Sequence, residues 1–164
     1  MASNIARHHG GATIVISLVF ALLLQMIALP DWAVSLRPDW LALVLVYWCI
    51  ALPERVGVGI GWFTGLILDV ANGALLGQNA LALAIVAYLA IRLHQRIRLF
   101  PLWQQSVSVL LLITLHLMLV LWIRGSVGQS SETWAYWLPA LTSLLAWPLV
   151  FTVLRGLRRT YRVR

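Results

Sequence analysis

Two ionisable side chains stand inside or at the end of otherwise apolar runs, and any chemistry this chain performs would start from them. Asp69 closes the run beginning near Val56, and His116 sits in the middle of the run from Leu102 to Ile123. Such groups must face protein or water rather than lipid, so each needs a partner. A proton relay or a cavity lining is the functional reading. The structural one has Asp69 capping a helix end near lipid headgroups and His116 neutral, bonded to a carbonyl. The other acids are Asp31, Asp39, Glu54 and Glu132, which form no paired-carboxylate motif. No GxSxG, HExxH or P-loop pattern occurs either, so an enzyme is the least supported class. Cys49 is a lone cysteine, and with four scattered histidines and no CxxC the sequence offers no recognisable zinc site; no metal or cofactor is expected.

Polar residues recur near one set of run ends: Gln25, Arg37, Asp39, Asp69, Gln78 and Asn79. They predict an outward-facing polar cluster with Arg37 to Asp69 as its ion pair. The alternative is local pairing of Arg37 with Asp39. A second feature is a ridge of residues spaced by four, Gly57, Gly61, Gly65, Asp69 and Gly73, which would let another helix approach closely. That helix belongs either to the same bundle or to a partner, or the ridge is a ligand groove. Thr13, Ser17 and Ala21 form a weaker ridge with the same readings.

The elements that position these groups follow from composition. Of 164 residues, 62% are hydrophobic and 10% charged, with mean hydropathy +0.90. A soluble domain carries about 25% charged residues, so the expectation is an all-α polytopic membrane bundle, a single integral membrane domain over residues 1–164. Apolar runs predict about six transmembrane helices, over 12–29, 40–52, 56–71, 78–93, 102–123 and 136–154, followed by a basic tail over 155–164. The first run is longer than a signal-peptide core and lacks a small-x-small cleavage site, so it reads as an uncleaved helix. A core of roughly 30 Å needs about 20 helical residues. The second and third runs fall short, which predicts short spans in thinned bilayer or a hairpin shielded by protein.

The net charge of +7 comes from twelve arginines. With the N-terminus inside, ten of them (Arg7, Arg55, Arg92, Arg96, Arg98, Arg155, Arg158, Arg159, Arg162 and Arg164) fall on the inner side, leaving Arg37 and Arg124 outside. The positive-inside rule then places both termini in the cytoplasm. These arginines set topology, and could also hold anionic lipids or a cytoplasmic protein; nucleic acid is not expected. Trp32, Trp40, Trp103, Trp122, Trp134 and Trp137 lie near proposed span ends, where indole rings favour the wet boundary. Pro38 and Pro53 should each begin a helix, and Pro148 should kink the last one or free a carbonyl.

Taken in order, Leu29-Pro30-Asp31, Arg37-Pro38-Asp39-Trp40, Tyr47-Trp48, Ala51-Leu52-Pro53-Glu54-Arg55-Val56-Gly57, Gly65-Leu66-Ile67-Leu68-Asp69, Leu102-Trp103-Gln104-Gln105 and Trp147-Pro148 resemble the rod shape-determining MreD family over nearly the whole chain. The resemblance implies a non-enzymatic component of the bacterial inner membrane that works with MreC, alongside MreB, RodZ, RodA and its transpeptidase partner, in lateral peptidoglycan synthesis and rod cell shape. It also implies a fold similar to the substrate-binding subunits of energy-coupling-factor transporters, six-helix bundles with an outward-facing pocket. Arg37, Pro38, Asp39, Gly65 and Asp69 match family positions, with Asp39 standing where many members carry Asn. Two functions follow as expectations: a scaffold that binds MreC through a glycine-lined groove, or a solute-binding transporter subunit using the polar cluster. A proton-coupled transporter resting on Asp69 and His116 is the third.

Overall fold

A computed structural model describes residues 9–129 and 133–163; Arg7, Glu132 and Arg164, which entered the charge reading, lie outside them. Its elements are α1 (His9–Met26), α2 (Asp31–Val34), α3 (Trp40–Ala51), α4 (Val58–Asn72), α5 (Gln78–Leu99), α6 (Leu102–Ser126), a 3-10 turn (Trp134–Trp137) and α7 (Leu138–Thr160). Among the described residues there is no strand. Six of the seven helices correspond to the six apolar runs, and α2 is a single turn between the first two.

The expected weak spans are the ones that organise the bundle. Helix α3 has only 12 residues, about 18 Å of helix, and every residue after Trp40 is buried. It packs against α1, α5, α6 and α7, so protein rather than lipid surrounds it. Trp48 and Trp147 are among the largest enclosed side chains, and Tyr47 makes edge contacts with Trp48 at 5.3 Å and Phe151 at 5.8 Å. The Trp48 indole N–H donates to Ser17 Oγ at 2.8 Å, which in turn donates to the Ile14 carbonyl at 2.8 Å, tying α3 to α1.

Both ends of α3 are closed by side chains. Asp39 is its N-cap, accepting from the Ala42 N–H at 3.3 Å. At the other end Arg98, from the last turn of α5, donates to the carbonyls of Ile50 at 2.7 Å and Ala51 at 2.5 Å. These carbonyls have no partner within their own helix, so a buried end requires such a donor.

Several boundaries differ from the sequence expectation. Pro53 does not open the third span: residues 52–56 turn on the Leu52 carbonyl, which accepts from the N–H groups of Arg55 and Val56, and α4 starts only after the N-cap Gly57. Two helices run on past the ends of their apolar runs. Helix α5 runs to Leu99 and α7 to Thr160, so most of the expected tail is helical. Leu and Arg are strong helix formers, and cations suit the negative end of the helix dipole. Helix α7 also continues through Pro148, whose carbonyl accepts from Thr152 Oγ1 at 2.7 Å.

Three segments are long and apolar enough to cross a membrane: α5, α6, and the 3-10 turn with α7. Helices α1, α3 and α4 are apolar but shorter. Large apolar side chains cover the outside, among them Val15, Val19 and Leu23 on α1, Leu111 and Met118 on α6, and Leu145 on α7. Water would not tolerate so continuous an apolar surface; lipid would. Trp32, Trp103, Trp122 and Trp134 are all exposed near helix ends.

Candidate functional site

The expected polar cluster exists as two separate junctions, each built on one aspartate. In the first, Asp39 caps α3 and places Oδ2 2.6 Å from Nδ1 of His116 on α6, with both side chains buried. The Asp39 backbone N–H donates to Ser143 Oγ on α7 at 3.0 Å. Three helices therefore meet at one carboxylate residue. Gln25 of α1 joins the same end of α3, its Oε1 accepting from the Trp40 N–H at 3.0 Å. Arg37 lies beside this junction with its guanidinium turned to the backbone, donating to the carbonyls of Gln25, in the last turn of α1, and of Ile27, just past its end.

The second junction closes the α4–α5 hairpin. Asp69, fully enclosed near the end of α4, accepts from the N–H of Gly77 at 2.9 Å, of Asn79 at 3.1 Å and of Ala80 at 3.3 Å, and from Asn79 Nδ2 at 2.8 Å. These N–H groups are the free donors at the start of α5, where a carboxylate also meets the positive end of the helix dipole. Gln78 is buried beside it, and its Nε2 has no hydrogen-bond partner.

The Arg37 to Asp69 ion pair is thus not formed, and neither is the local Arg37 to Asp39 pair. The physical reason is competition: unsatisfied backbone groups at helix ends lie closer to each charge than the opposite charge does. Asp39 finds His116 instead. Sequence reading treated these two residues separately because 77 positions divide them. The usable signal was that each is an ionisable group in an apolar setting, and two such groups satisfy each other.

The glycine ridge also resolves into parts. Gly61 and Gly65 face α5 across the tightest seam of the molecule. A Cβ on Gly65 would stand 2.6 Å from both the Ala80 Cα and the Asn79 carbonyl oxygen; on Gly61 it would stand 3.0 Å from the Ala87 Cβ and the Leu83 oxygen. Gly57 and Gly73 have open space around them and are not part of a groove. Gly57 is the N-cap of α4, and Gly73 is its C-cap at φ +60°, a left-handed conformation suited to glycine. The ridge is covered by the chain's own α5, so no partner helix can lie on Gly61 and Gly65.

The second ridge has the opposite fate. Thr13, Ser17 and Ala21 line a groove of about 840 Å³ between α1 and α7. Its walls include Ile16 and Phe20 on one side and Leu149 and Val153 on the other, with Val44 of α3 between them. Among the described residues no group of three or more His, Cys, Asp or Glu side chains converges on a metal-sized site.

The fold and these junctions define a class: an all-helical, lipid-compatible bundle whose buried acids hold helices to one another. Comparison with known proteins gives the family. Residues 7–157 match the family described as rod shape-determining protein MreD. The chain is also 33% identical over 151 residues to the rod shape-determining protein MreD of Haemophilus influenzae, covering 92% of this chain and 93% of that one. No solved structure matches. The chain belongs to the MreD family of rod shape-determining proteins.

Proposed function

We propose that this chain is a non-enzymatic scaffold of the bacterial cell-elongation machinery that binds MreC and supports lateral peptidoglycan synthesis. The observation that carries the reading is the family match along residues 7–157. The structure supports it through the use made of three charged side chains, of which the two aspartates are buried. Asp39, Asp69 and Arg98 are each directed at helix ends or a neighbouring helix, as a rigid mounting requires.

In this reading six helices are embedded in the cytoplasmic membrane in the manner of energy-coupling-factor substrate-binding subunits. Both termini face the cytoplasm, where the arginines of α5 and α7 gather. MreC contributes a membrane helix packed on the apolar exterior, and MreB, RodZ, RodA and its transpeptidase partner join the larger complex. The glycine seam is structural here and does not touch MreC. A solute-binding subunit is less well supported, since Arg37 and Asp69 are held at separate junctions instead of around one cavity.

The test is co-isolation of MreC with this chain from detergent-solubilised cells, with photo-crosslinkers placed singly on the exposed faces of α1, α4, α6 and α7. Retention of MreC and crosslinking from one contiguous face are expected. Saturable solute binding without any MreC retention would overturn the scaffold in favour of the transporter subunit.

A further inference from the structure

The groove between α1 and α7 has a direction. Its residues run from Ala12 and Tyr161 at one end to Leu24 and Trp40 at the other. Ala12 and Leu24 are twelve positions apart on α1, about 18 Å along the axis. That is close to the depth of one leaflet, roughly 15 Å as half of a 30 Å hydrocarbon core.

The two ends differ in charge. At the Ala12–Tyr161 end, Arg158 follows the groove-lining Leu157 and donates to the Val163 carbonyl at 3.4 Å. Arg155 follows the groove-lining Leu154, its guanidinium carbon 5.9 Å from the centre of the Phe151 ring. Arg55 reaches the start of α1 two residues before the groove-lining Ala12, its guanidinium 2.9 Å from where a Cβ on Gly10 would stand. Glu54, exposed, is the neighbouring acid. At the Leu24–Trp40 end the cation is Arg37, already engaged by the carbonyls of Gln25 and Ile27, with Asp31 and Asp39 close in sequence. An occupant that is anionic at one end and apolar along its length matches this distribution.

We propose that this groove is a binding site for an anionic phospholipid, an acyl chain lying between α1 and α7 and the phosphate at Arg55, Arg155 and Arg158. The site is independent of the assignment to MreC, because it needs only membrane lipid. Ser17, whose hydroxyl is already engaged by Trp48 and Ile14, presents no unmet polar group to the chain.

Native mass spectrometry of the full chain in detergent, titrated with dioleoylphosphatidylglycerol or dioleoylphosphatidylcholine, tests the proposal. The glycerol lipid should be retained about five-fold or more over the choline lipid, as one arginine near a membrane surface contributes. Combined Arg155→Gln and Arg158→Gln should abolish that preference. Val153→Trp, at a position 53% exposed and therefore tolerant of bulk, should displace both lipids; Leu149→Trp, 61% exposed, serves if the first variant folds poorly. Equal retention of the two lipids would overturn the site, as would retention unchanged in both tryptophan variants. A photo-crosslinker at Val153 that labels a protein instead of lipid in intact cells would overturn it too. Loss of MreC co-isolation with lipid preference intact would sink the scaffold reading alone.

Discussion

The α4–α5 seam and the α1–α7 flank carry the same sequence signal and have opposite outcomes. Both offer small residues every four positions along a helix. At the seam, α5 approaches until no Cβ fits at Gly65; at the flank, α1 and α7 diverge around a groove. Small residues permit close approach but do not bring a helix there. What brings α5 onto α4 is the short turn from Gly73 to Gly77 and the carboxylate of Asp69, which holds the start of α5. No comparable turn joins α1 and α7, the first and last helices of the chain, and their nearest tie is through α3.

If that contrast is right, the largest effect belongs to Gly65. Gly65→Leu should cost about 3 kcal/mol or more, since backbone rather than a flexible side chain stands in the way. Folded yield and denaturant stability of the purified protein measure it, and wild-type stability would show that the seam is not closed. Gly65→Ala should be worse than Gly61→Ala, whose nearest neighbours are 3.0 Å away and include a side-chain methyl.

Asp69→Ala should come next, at about 3 kcal/mol, because it strips an acceptor from buried N–H groups. Here the ion-pair idea can be tested directly. Asp69→Lys should not be rescued by Arg37→Glu, and partial recovery of cell shape in the double variant would restore a pair that the geometry does not form.

His116→Leu should cost roughly 2 kcal/mol, as the buried Asp39 carboxylate loses a partner but keeps the Ala42 N–H. A double-mutant cycle with Asp39→Asn should show coupling above about 0.5 kcal/mol, while additivity would mean the contact is idle. At the bottom of the scale, Val153→Trp on the open flank should change stability by less than about 0.5 kcal/mol. A large loss there would mean that the groove is a packed interior surface.

Much of the fold was legible before any coordinates. The apolar runs mark all six long helices because the repeated absence of charge over 12 or more residues reflects a constant physical demand, lipid or core on every side. Asp39 marks the start of α3 for an equally local reason, as its N-cap, while Pro38 stands one residue before that cap and does not itself begin the helix. At the arginine-rich ends the apolar runs stop before the helices do, because charge ends a hydropathy run without ending a helix. Gly57 and Gly73 were placed on the ridge by spacing, although spacing alone cannot separate a packing glycine from a capping one.

The sequence alone determined the class of solvent, the number of apolar helices and which charges would need partners, since each depends on residues near in the chain. The tertiary structure decided which partners they found. Asp39 met His116 and not Arg37, and Asp69 met the amides of α5, because a buried charge is satisfied by whichever polar group the packing of distant helices brings within hydrogen-bond reach. The same holds for the two small-residue ridges. Only the course of the connecting chain determined which would be covered by a neighbouring helix and which would stay open to the membrane.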